Sequence, residues 1–197
     1  MHVELFLLNL LLKINIVFRP LSLNLSHFGR GLYLQMDIHK AYYSSPIGTI
    51  EITGNEQGVN SLYFLDEKKS ISGRIHPSLK ECIQQLDEYF NSTRKEFDLI
   101  INPEGTEFRK KVWNKLLKIP YGKTKSYLDI AKQMGDANAN RAVGNANAKN
   151  PISIIVPCHR VIGNDGDLVG YGGGLWRKEW LLNHENSLVF GKQTTLF

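Results

Sequence analysis

The sequence predicts an α+β protein in which a small strand-and-helix domain, residues 36–103, precedes a helix-turn-helix, winged-helix-like domain, residues 104–190. The first of these regions alternates short strand-forming runs with Gly and Pro turn signals. The second contains two short helical segments separated by Gly135, which is the pattern of a helix-turn-helix. The charge balance also changes between them. Residues 36–103 hold 7 Lys and Arg against 10 Asp and Glu, whereas residues 104–197 hold 14 against 8.

The first region begins with three predicted strands over residues 41–43, 48–53 and 61–65, separated by glycine-containing turns. A helix follows, because apolar residues recur there at helical spacing: Leu79, Cys82, Ile83, Leu86 and Phe90. Cys82 is therefore expected to be a small buried hydrophobe. Residues 97–101 complete the region as a predicted strand, and we find no catalytic chemistry in its sequence.

The second region begins with a helix over residues 107–117, for which Thr106 is the expected N-cap. Ser126 is the expected cap of a short helix over 127–134, which Gly135 ends. A second short helix is expected over 137–149. It is rich in Ala, Gly and Asn, so it could approach DNA closely and bond to sugar, phosphate or base edges. The alternative is a helix whose small residues only pack at a crossing.

The most informative stretch is Pro157-Cys158-His159-Arg160, which follows an apolar run, residues 152–156, expected to be a strand. A cysteine between a rigid proline and a histidine is poorly explained by packing, and the neighbouring groups can lower a thiol pKa. His159 can accept its proton if the backbone turns there, or through a water. We expect a carboxylate to orient the imidazole. The sequence itself leaves four downstream candidates open: Asp165, Asp167, Glu179 and Glu185.

These motifs resemble those of the O6-alkylguanine-DNA alkyltransferases, the methylated-DNA–protein-cysteine methyltransferases. The resemblance is specific from about residue 106 to 185 and loose over 36–103. It rests on the segments Phe108-Arg109, Ile119-Pro120-Tyr121-Gly122, Ser126-Tyr127, Arg141-Ala142-Val143-Gly144, Asn150-Pro151, Pro157-Cys158-His159-Arg160-Val161-Ile162, Gly170-Tyr171-Gly172-Gly173-Gly174-Leu175 and Lys178-Glu179-Trp180-Leu181-Leu182-Asn183-His184-Glu185.

The resemblance implies a function and a catalytic set. The function is DNA repair by irreversible, single-turnover transfer of an alkyl group from O6-alkylguanine, and also from O4-alkylthymine, in double-stranded DNA. Cys158 would be the acceptor, His159 its base acting through a water, and Glu185 the orienting carboxylate. We expect this arrangement to leave the thiol partly ionised at neutral pH.

The same resemblance implies supporting and DNA-contacting residues. Asn150 would brace the turn before Cys158, Tyr127 would donate to the purine, and Tyr171, Val161 and Gly172 would border the base pocket. Some members carry Ser where this chain has Gly172. Arg141 would fill the space left by the flipped base, and the other expected DNA contacts are Ala142, Asn138, Asn140 and Arg160.

Composition adds constraints on the remaining properties. The chain has 197 residues, a net charge of +5 and only two cysteines. This cysteine usage predicts a reducing compartment, which we take to be the cytoplasm, and no disulfide framework. No cluster has zinc-ligand spacing, so neither a metal nor a cofactor is expected. We expect a monomer.

The two ends of the chain look different from the rest. The apolar run in residues 5–12 is too short for a membrane helix and is preceded by Glu4, unlike a signal peptide. We therefore interpret residues 1–35 as a non-native or unstructured extension preceding a start at Met36. A membrane-targeting extension is the alternative. Residues 191–197 are expected to be a tail.

Two other functional classes use similar residues. A Cys-His-Glu hydrolase would form a thioester that water cleaves, so it would turn over repeatedly. A non-catalytic lesion-binding protein would share much of the fold but lack the reactive cysteine. The presence of Cys158 argues against this class of protein. Gain of alkyl mass by the thiol separates these classes from an alkyltransferase.

Overall fold

The computed structural model describes residues 37–67 and 74–190. The predicted extension, residues 1–35, and the predicted tail, residues 191–197, lie outside the described residues. No helix within the described part of the chain is long and apolar enough to cross a membrane.

The N-terminal half is built on a three-stranded antiparallel sheet of order β1-β2-β3. The strands are β1 (His39–Ser45), β2 (Gly48–Asn55) and β3 (Gly58–Leu65), so all three predicted strands are confirmed, with longer bounds. Gly58 has a φ of +133°, and a Cβ placed there would lie 2.5 Å from the carbonyl oxygen of Ile100. Only glycine therefore fits the turn that begins β3.

Helix α1 (Pro77–Phe90) packs against this sheet. His76 caps it, and Pro77 occupies its first turn, where the missing N–H costs nothing. Its buried face includes Leu79, Cys82 and Leu86. The prediction that Cys82 is a buried small hydrophobe is confirmed, and burial raises the pKa of its thiol to about 12.

The predicted strand over residues 97–101 is wrong. Only one residue of this segment forms a bridge, Ile101 with Val59. The side chain of Gln85 in α1 occupies both backbone groups of Asp98: its Nε2 donates to the Asp98 carbonyl (2.8 Å), and its Oε1 accepts from the Asp98 N–H (2.9 Å). A side chain thus replaces the neighbouring strand that a longer ladder would need.

The basic half, residues 104–190, is mainly helical, and α2 (Glu107–Leu116) is capped by Thr106 as predicted. Helix α3 (Tyr127–Gln133) begins at Ser126 with a capping box, because Ser126 Oγ accepts from Asp129 N–H and the Asp129 carboxylate accepts from Ser126 N–H. Gly135, with a φ of +91°, follows α3.

The second helix of the pair is also present. A 3₁₀ turn (Ala137–Ala139) leads into α4 (Asn140–Ala148), which packs against α2 and α3. The last helix is α5 (Leu175–Phe190), and short strands β4 (Lys125–Ser126) and β5 (Val161–Ile162) pair in parallel. The predicted α+β class and helix-turn-helix are confirmed.

The apolar run in residues 152–156 is a buried turn and not the predicted strand. Ile154 has a φ of +71°, and the Val156 N–H donates to the Ile152 carbonyl at 3.0 Å. Only Ile152 pairs with a strand, forming a bridge with Leu62 of β3. This contact joins the segment before Cys158 directly to the N-terminal sheet.

Candidate active site

Cys158 lies where the buried turn ends, at the start of a 3₁₀ turn (Cys158–Arg160). Asn150 fixes both the turn and the thiol. Its Nδ2 donates to Cys158 Sγ (3.0 Å) and to the Val156 carbonyl (2.8 Å), while its Oδ1 accepts from the Ile152 N–H (3.0 Å). One carboxamide therefore satisfies buried backbone groups and holds the sulfur in a single position.

Cys158 lines a cavity of about 140 Å³ between the two halves of the protein. The side chain itself is only 4% exposed, so this cavity is its route to a reactant. Tyr171 and Gly172, for which the base-pocket role stays a prediction, form one part of the lining, and Asn150 forms another. The remaining lining residues are Tyr63, Phe64, Asn147, Ala148, Ser153, Gly170 and Gly173.

The glycine-rich loop on the wall of this cavity is fastened by a buried lysine that sequence reasoning did not single out. The loop comprises residues 163–174. Lys178 Nζ donates to the carbonyl of Val161 (2.6 Å), which precedes the loop, and to that of Val169 (2.7 Å), which lies within it. Burial lowers the pKa of this ammonium to about 8. Tyr127 Oη also donates to the Val169 carbonyl, at 3.1 Å. Val161 itself is fully buried.

His159 and Glu185 form a buried pair behind the cysteine. His159 Nε2 and Glu185 Oε1 are 2.8 Å apart, and both side chains have no exposed surface. The other three candidate carboxylates, Asp165, Asp167 and Glu179, are exposed. Geometry thus selects the carboxylate that the sequence pattern alone left open.

Arg160 completes this buried ion cluster and does not reach the surface. Its Nε and Nη2 donate to the two oxygens of Glu185 (2.9 Å each), and its Nη1 donates to the Ile119 carbonyl (2.7 Å). This burial argues against the predicted DNA contact of Arg160, which stays a prediction. Each of the three guanidinium nitrogens donates a hydrogen bond within the protein.

Two further donors to Glu185 were not found from the sequence. Tyr89 Oη, from α1, donates to Oε1 at 2.9 Å, and the Gly122 N–H donates to Oε2 at 3.0 Å. Tyr89 lies 96 residues from Glu185, so no local pattern could connect them. The sequence did single out Pro120-Tyr121-Gly122 as part of a segment shared with the alkyltransferases, but it did not indicate that the Gly122 N–H binds Glu185.

Burial and the ion pairs have opposing effects on the pKa values of the site. Burial raises the pKa of the Cys158 thiol above its ordinary value, although Asn150 and Lys178 oppose the effect. It also lowers the pKa of His159, although Glu185 opposes this. Burial disfavours ionisation of Glu185 as well, but His159 and Arg160 outweigh it and hold the pKa of that carboxyl below its usual range. Burial of the thiol thus opposes the partial ionisation that the sequence led us to expect.

The residues expected to contact DNA, apart from Arg160, cluster at the start of α4. Arg141, Ala142 and Asn138 are exposed, and Asn140 is half-buried. The opposite face of α4 packs inward, with Val143, Ala146 and Asn147 buried. The small residues on the buried face of α4 therefore serve helix packing, whereas the exposed face is available to contact a partner. The DNA-contacting roles stay predictions.

One group of described residues has the donor types of a metal site. His39, Glu56 and His76 place three donor atoms within 4.8 Å of one another. However, the two imidazole rings stack face to face, with centroids 3.4 Å apart and planes at 15°. Their lone pairs lie in nearly parallel planes and do not converge on a common ion, so we assign no metal to this cluster.

Two families match most of the described chain. Residues 107–187 match the 6-O-methylguanine DNA methyltransferase, DNA binding domain. Residues 38–103 match the 6-O-methylguanine DNA methyltransferase, ribonuclease-like domain.

Relatives and solved structures agree with these matches. A methylated-DNA–protein-cysteine methyltransferase of Methanosarcina acetivorans is 48% identical over 76% of this chain and 99% of its own. One from Mycobacterium leprae is 45% identical over 80% and 98%. The crystal structure of the Mycobacterium tuberculosis O6-methylguanine methyltransferase has a TM-score of 0.69 at 44% identity, covering 77% and 94%. A structure of the M. tuberculosis OGT in complex with DNA has a TM-score of 0.70 at 44% identity, covering 76% and 94%.

These matches agree with the sequence motifs around Cys158 and with the buried Cys158, His159 and Glu185 arrangement. The chain belongs to the O6-alkylguanine-DNA alkyltransferase family.

Proposed function

We propose that this protein repairs double-stranded DNA by transferring the alkyl group of O6-alkylguanine to Cys158, once per chain and irreversibly. One observation supports this most directly. Cys158 lines a small cavity, while Asn150 holds its sulfur at 3.0 Å, and the next residue, His159, is paired with Glu185 in the interior. The family membership and the DNA complex of a relative support the same reaction class.

The proton route follows from the hydrogen bonds of His159. Nε2 is engaged by Glu185, so the tautomer with a proton on Nε2 donates to the carboxylate and leaves Nδ1 as the acceptor. Nδ1 is buried and has no hydrogen-bond partner among the described residues. We assign Nδ1 as the base that accepts the Cys158 proton through one intervening water. Glu185 then stabilises the imidazolium that forms.

The transfer step is a displacement at the alkyl carbon. The sulfur of Cys158 forms the S–C bond as its proton moves to His159, and the C–O6 bond breaks with its electron pair going to the guanine. The guanine anion takes up one proton from solvent and leaves neutral, while the His159 imidazolium returns its proton to solvent, so the net change moves the thiol proton to the guanine. Backbone N–H groups of the glycine-rich loop would meet the charge that develops on the leaving base, and Tyr127 would do so after its hydroxyl exchanges the Val169 carbonyl for the purine. The product is a thioether, which none of the site residues can hydrolyse.

The DNA must present the base outside the helix, because the O6 substituent is hidden in the duplex. Flipping a nucleotide costs a few kcal/mol. A side chain inserted into the vacated space and close minor-groove contact would offset that cost. Arg141 and Ala142, on the exposed face of α4, are the residues to which we assign this role. We extend the proposal to O4-alkylthymine, which carries its alkyl group on a comparable exocyclic oxygen.

The unreacted thiol also bears on where the protein works. Cys158 must remain reduced until it meets a lesion, and neither cysteine is in a disulfide. We therefore propose a reducing compartment, the cytoplasm, as its location.

Intact-mass analysis after incubation with O6-methylguanine duplex DNA tests the proposal. We expect one added methyl group per chain, on the peptide containing Cys158, with none on Cys82 and none on a Cys158→Ala variant. Methylation of Cys82, turnover beyond one per chain, or repeated cleavage of an ester or amide would contradict the proposal. The last outcome would favour a hydrolase.

A further inference from the structure

Tyr89 brings the N-terminal half of the protein into the ion cluster of the basic half. Its ring is fully buried, and its hydroxyl donates to Glu185 Oε1 at 2.9 Å. The same oxygen lies 2.8 Å from His159 Nε2. Tyr89 Oη and His159 Nε2 therefore share one acceptor atom, Glu185 Oε1, which links the tyrosine to the base.

The position of Tyr89 is fixed independently of Glu185. Its ring packs edge-on against Phe90 (5.4 Å between centroids) and Tyr121 (6.1 Å), and against His184 at 5.2 Å. Burial raises the pKa of its hydroxyl well above the ordinary value, so the group remains a donor at all pH values where the protein works. A rigid, permanently protonated donor has a constant electrostatic effect on the carboxylate.

This donor should reduce the basicity of the carboxylate toward His159. A hydrogen bond to the charged form of a carboxyl stabilises that form. The more of the Glu185 charge that Tyr89, Arg160 and Gly122 N–H neutralise, the less of it remains to favour a protonated imidazole. A neutral imidazole is what the proton transfer from Cys158 requires.

We propose that Tyr89 is a positioning residue for alkyl transfer. Through the hydrogen bond from Tyr89 to Glu185, the N-terminal half of the protein sets the proton affinity of His159. This inference rests on the proposed function. It assigns a catalytic contribution to a half of the chain in which the sequence indicated none.

Several charged or titratable groups face this pair, and they stay unchanged in the test. His159 is affected by Glu185 and Lys178 from α5 and by its neighbour Arg160. The same Glu185 also acts on Tyr121, which lies in the loop before β4. Replacing Tyr89 by Phe removes one oxygen and keeps the ring packing, so only the hydrogen bond to Glu185 changes.

The experiment measures single-turnover methyl transfer from duplex DNA as a function of pH for wild type and Tyr89→Phe. Without the donor, His159 should gain proton affinity, so the acid-side midpoint of the rate should move to higher pH by about one unit. Below that midpoint the variant should be about tenfold slower, and the two rates should converge at higher pH. The matched control is Tyr43→Phe, which loses a hydrogen bond to Asp87 on α1 but lies outside the cluster.

A second variant predicts the opposite sign. Site-specific difluorotyrosine at position 89 keeps the hydroxyl and makes it a stronger donor, so the midpoint should move to lower pH. This variant also tests whether Tyr89 affects the proton affinity of His159 if Tyr89→Phe does not fold.

A superimposable pH profile, or a uniform rate loss at every pH, would overturn the inference, because packing alone gives no change in midpoint. NMR titration of the His159 imidazole in the two proteins reports the same shift without any reaction. If wild type acquires no methyl group, the proposed function fails, while this titration still decides the link between Tyr89 and His159.

Discussion

Replacing Glu185 by Gln should be among the most damaging single changes to this protein. The carboxylate has no exposed surface and accepts five hydrogen bonds: from His159 Nε2, from Arg160 Nε and Nη2, from Tyr89 Oη and from the Gly122 N–H. A glutamine has the same shape but is neutral, and one of its two terminal atoms is a donor. It therefore places a donor against other donors and leaves the Arg160 guanidinium without a counter-charge.

The size of the effect follows from burial. Removing one partner of a buried ion pair costs about 3–5 kcal/mol, because the remaining charge stays buried and uncompensated. That is a large share of the roughly 5–15 kcal/mol by which folded proteins are stable. Glu179 provides the matched control on the same helix. It is exposed, so Glu179→Gln should change the free energy of unfolding by no more than about 0.5 kcal/mol.

Urea unfolding monitored by tryptophan fluorescence measures the difference. With a slope of about 2 kcal/mol per molar urea, a loss of about 4 kcal/mol lowers the midpoint by about 2 M. Single-turnover methyl transfer, measured in urea-free buffer on the folded fraction, should also be much slower for Glu185→Gln than for Glu179→Gln.

Equal midpoints for the two variants would refute the reasoning about the buried ion cluster. A normal transfer rate in Glu185→Gln would refute the assignment of Glu185 as the carboxylate that orients His159. The reverse order of rates would show that Glu179 has that role.

Three other substitutions test separate parts of the site. Arg141→Ala should slow repair of duplex DNA by at least about tenfold while changing the reaction with free O6-benzylguanine less than about twofold, since only the duplex requires its stack to be filled; equal losses would mean that Arg141 supports the fold. Gly172→Ser should leave the free energy of unfolding within about 0.5 kcal/mol of wild type, because a Cβ there meets no atom within 4 Å; a larger loss in urea unfolding would contradict this. Asn150→Ala should lower the free energy of unfolding by about 1–3 kcal/mol for each buried group left without a partner, the Val156 carbonyl and the Ile152 N–H. Urea unfolding measures this loss, with Asn145→Ala at an exposed position as the control. Similar midpoints for the two variants would contradict the prediction.

Local signals in the sequence predicted local structure well. Ser126 and Thr106 cap helices because a side-chain oxygen three residues before a backbone N–H is sufficient for the interaction, and both residues are visible in the pattern. The buried character of Cys82 followed in the same way from helical spacing. The motif around Cys158 identified the nucleophile for similar reasons, because its neighbours in sequence are also its neighbours in space.

Features that depend on distant partners were not predictable from the sequence. The apolar run in residues 152–156 has the composition of a strand, but the Asn150 side chain turns it by bonding at both ends. Arg160 contributes to the net charge of the basic half whether it is exposed or paired, so charge counting could not show its ion pair with Glu185. The sequence gives no sign of the hydrogen bond between Tyr89 and Glu185, because the two residues lie on different helices 96 residues apart.

The anchor formed by Lys178 has a consequence for how the site can diversify. Its ammonium bonds to the carbonyl oxygens of Val161 and Val169, which every amino acid possesses. Attachment of the loop therefore does not depend on which side chains the loop carries. Val169 is exposed, and Gly172 has open space beyond its Cα, so these two positions can be exchanged while the loop keeps its place beside the cysteine. Gly173 cannot, because a Cβ there would lie 2.8 Å from the Phe64 ring. A library randomised at residues 169 and 172 would vary the shape of the pocket on a constant support, which makes these two positions the natural place to alter the range of alkyl groups accepted.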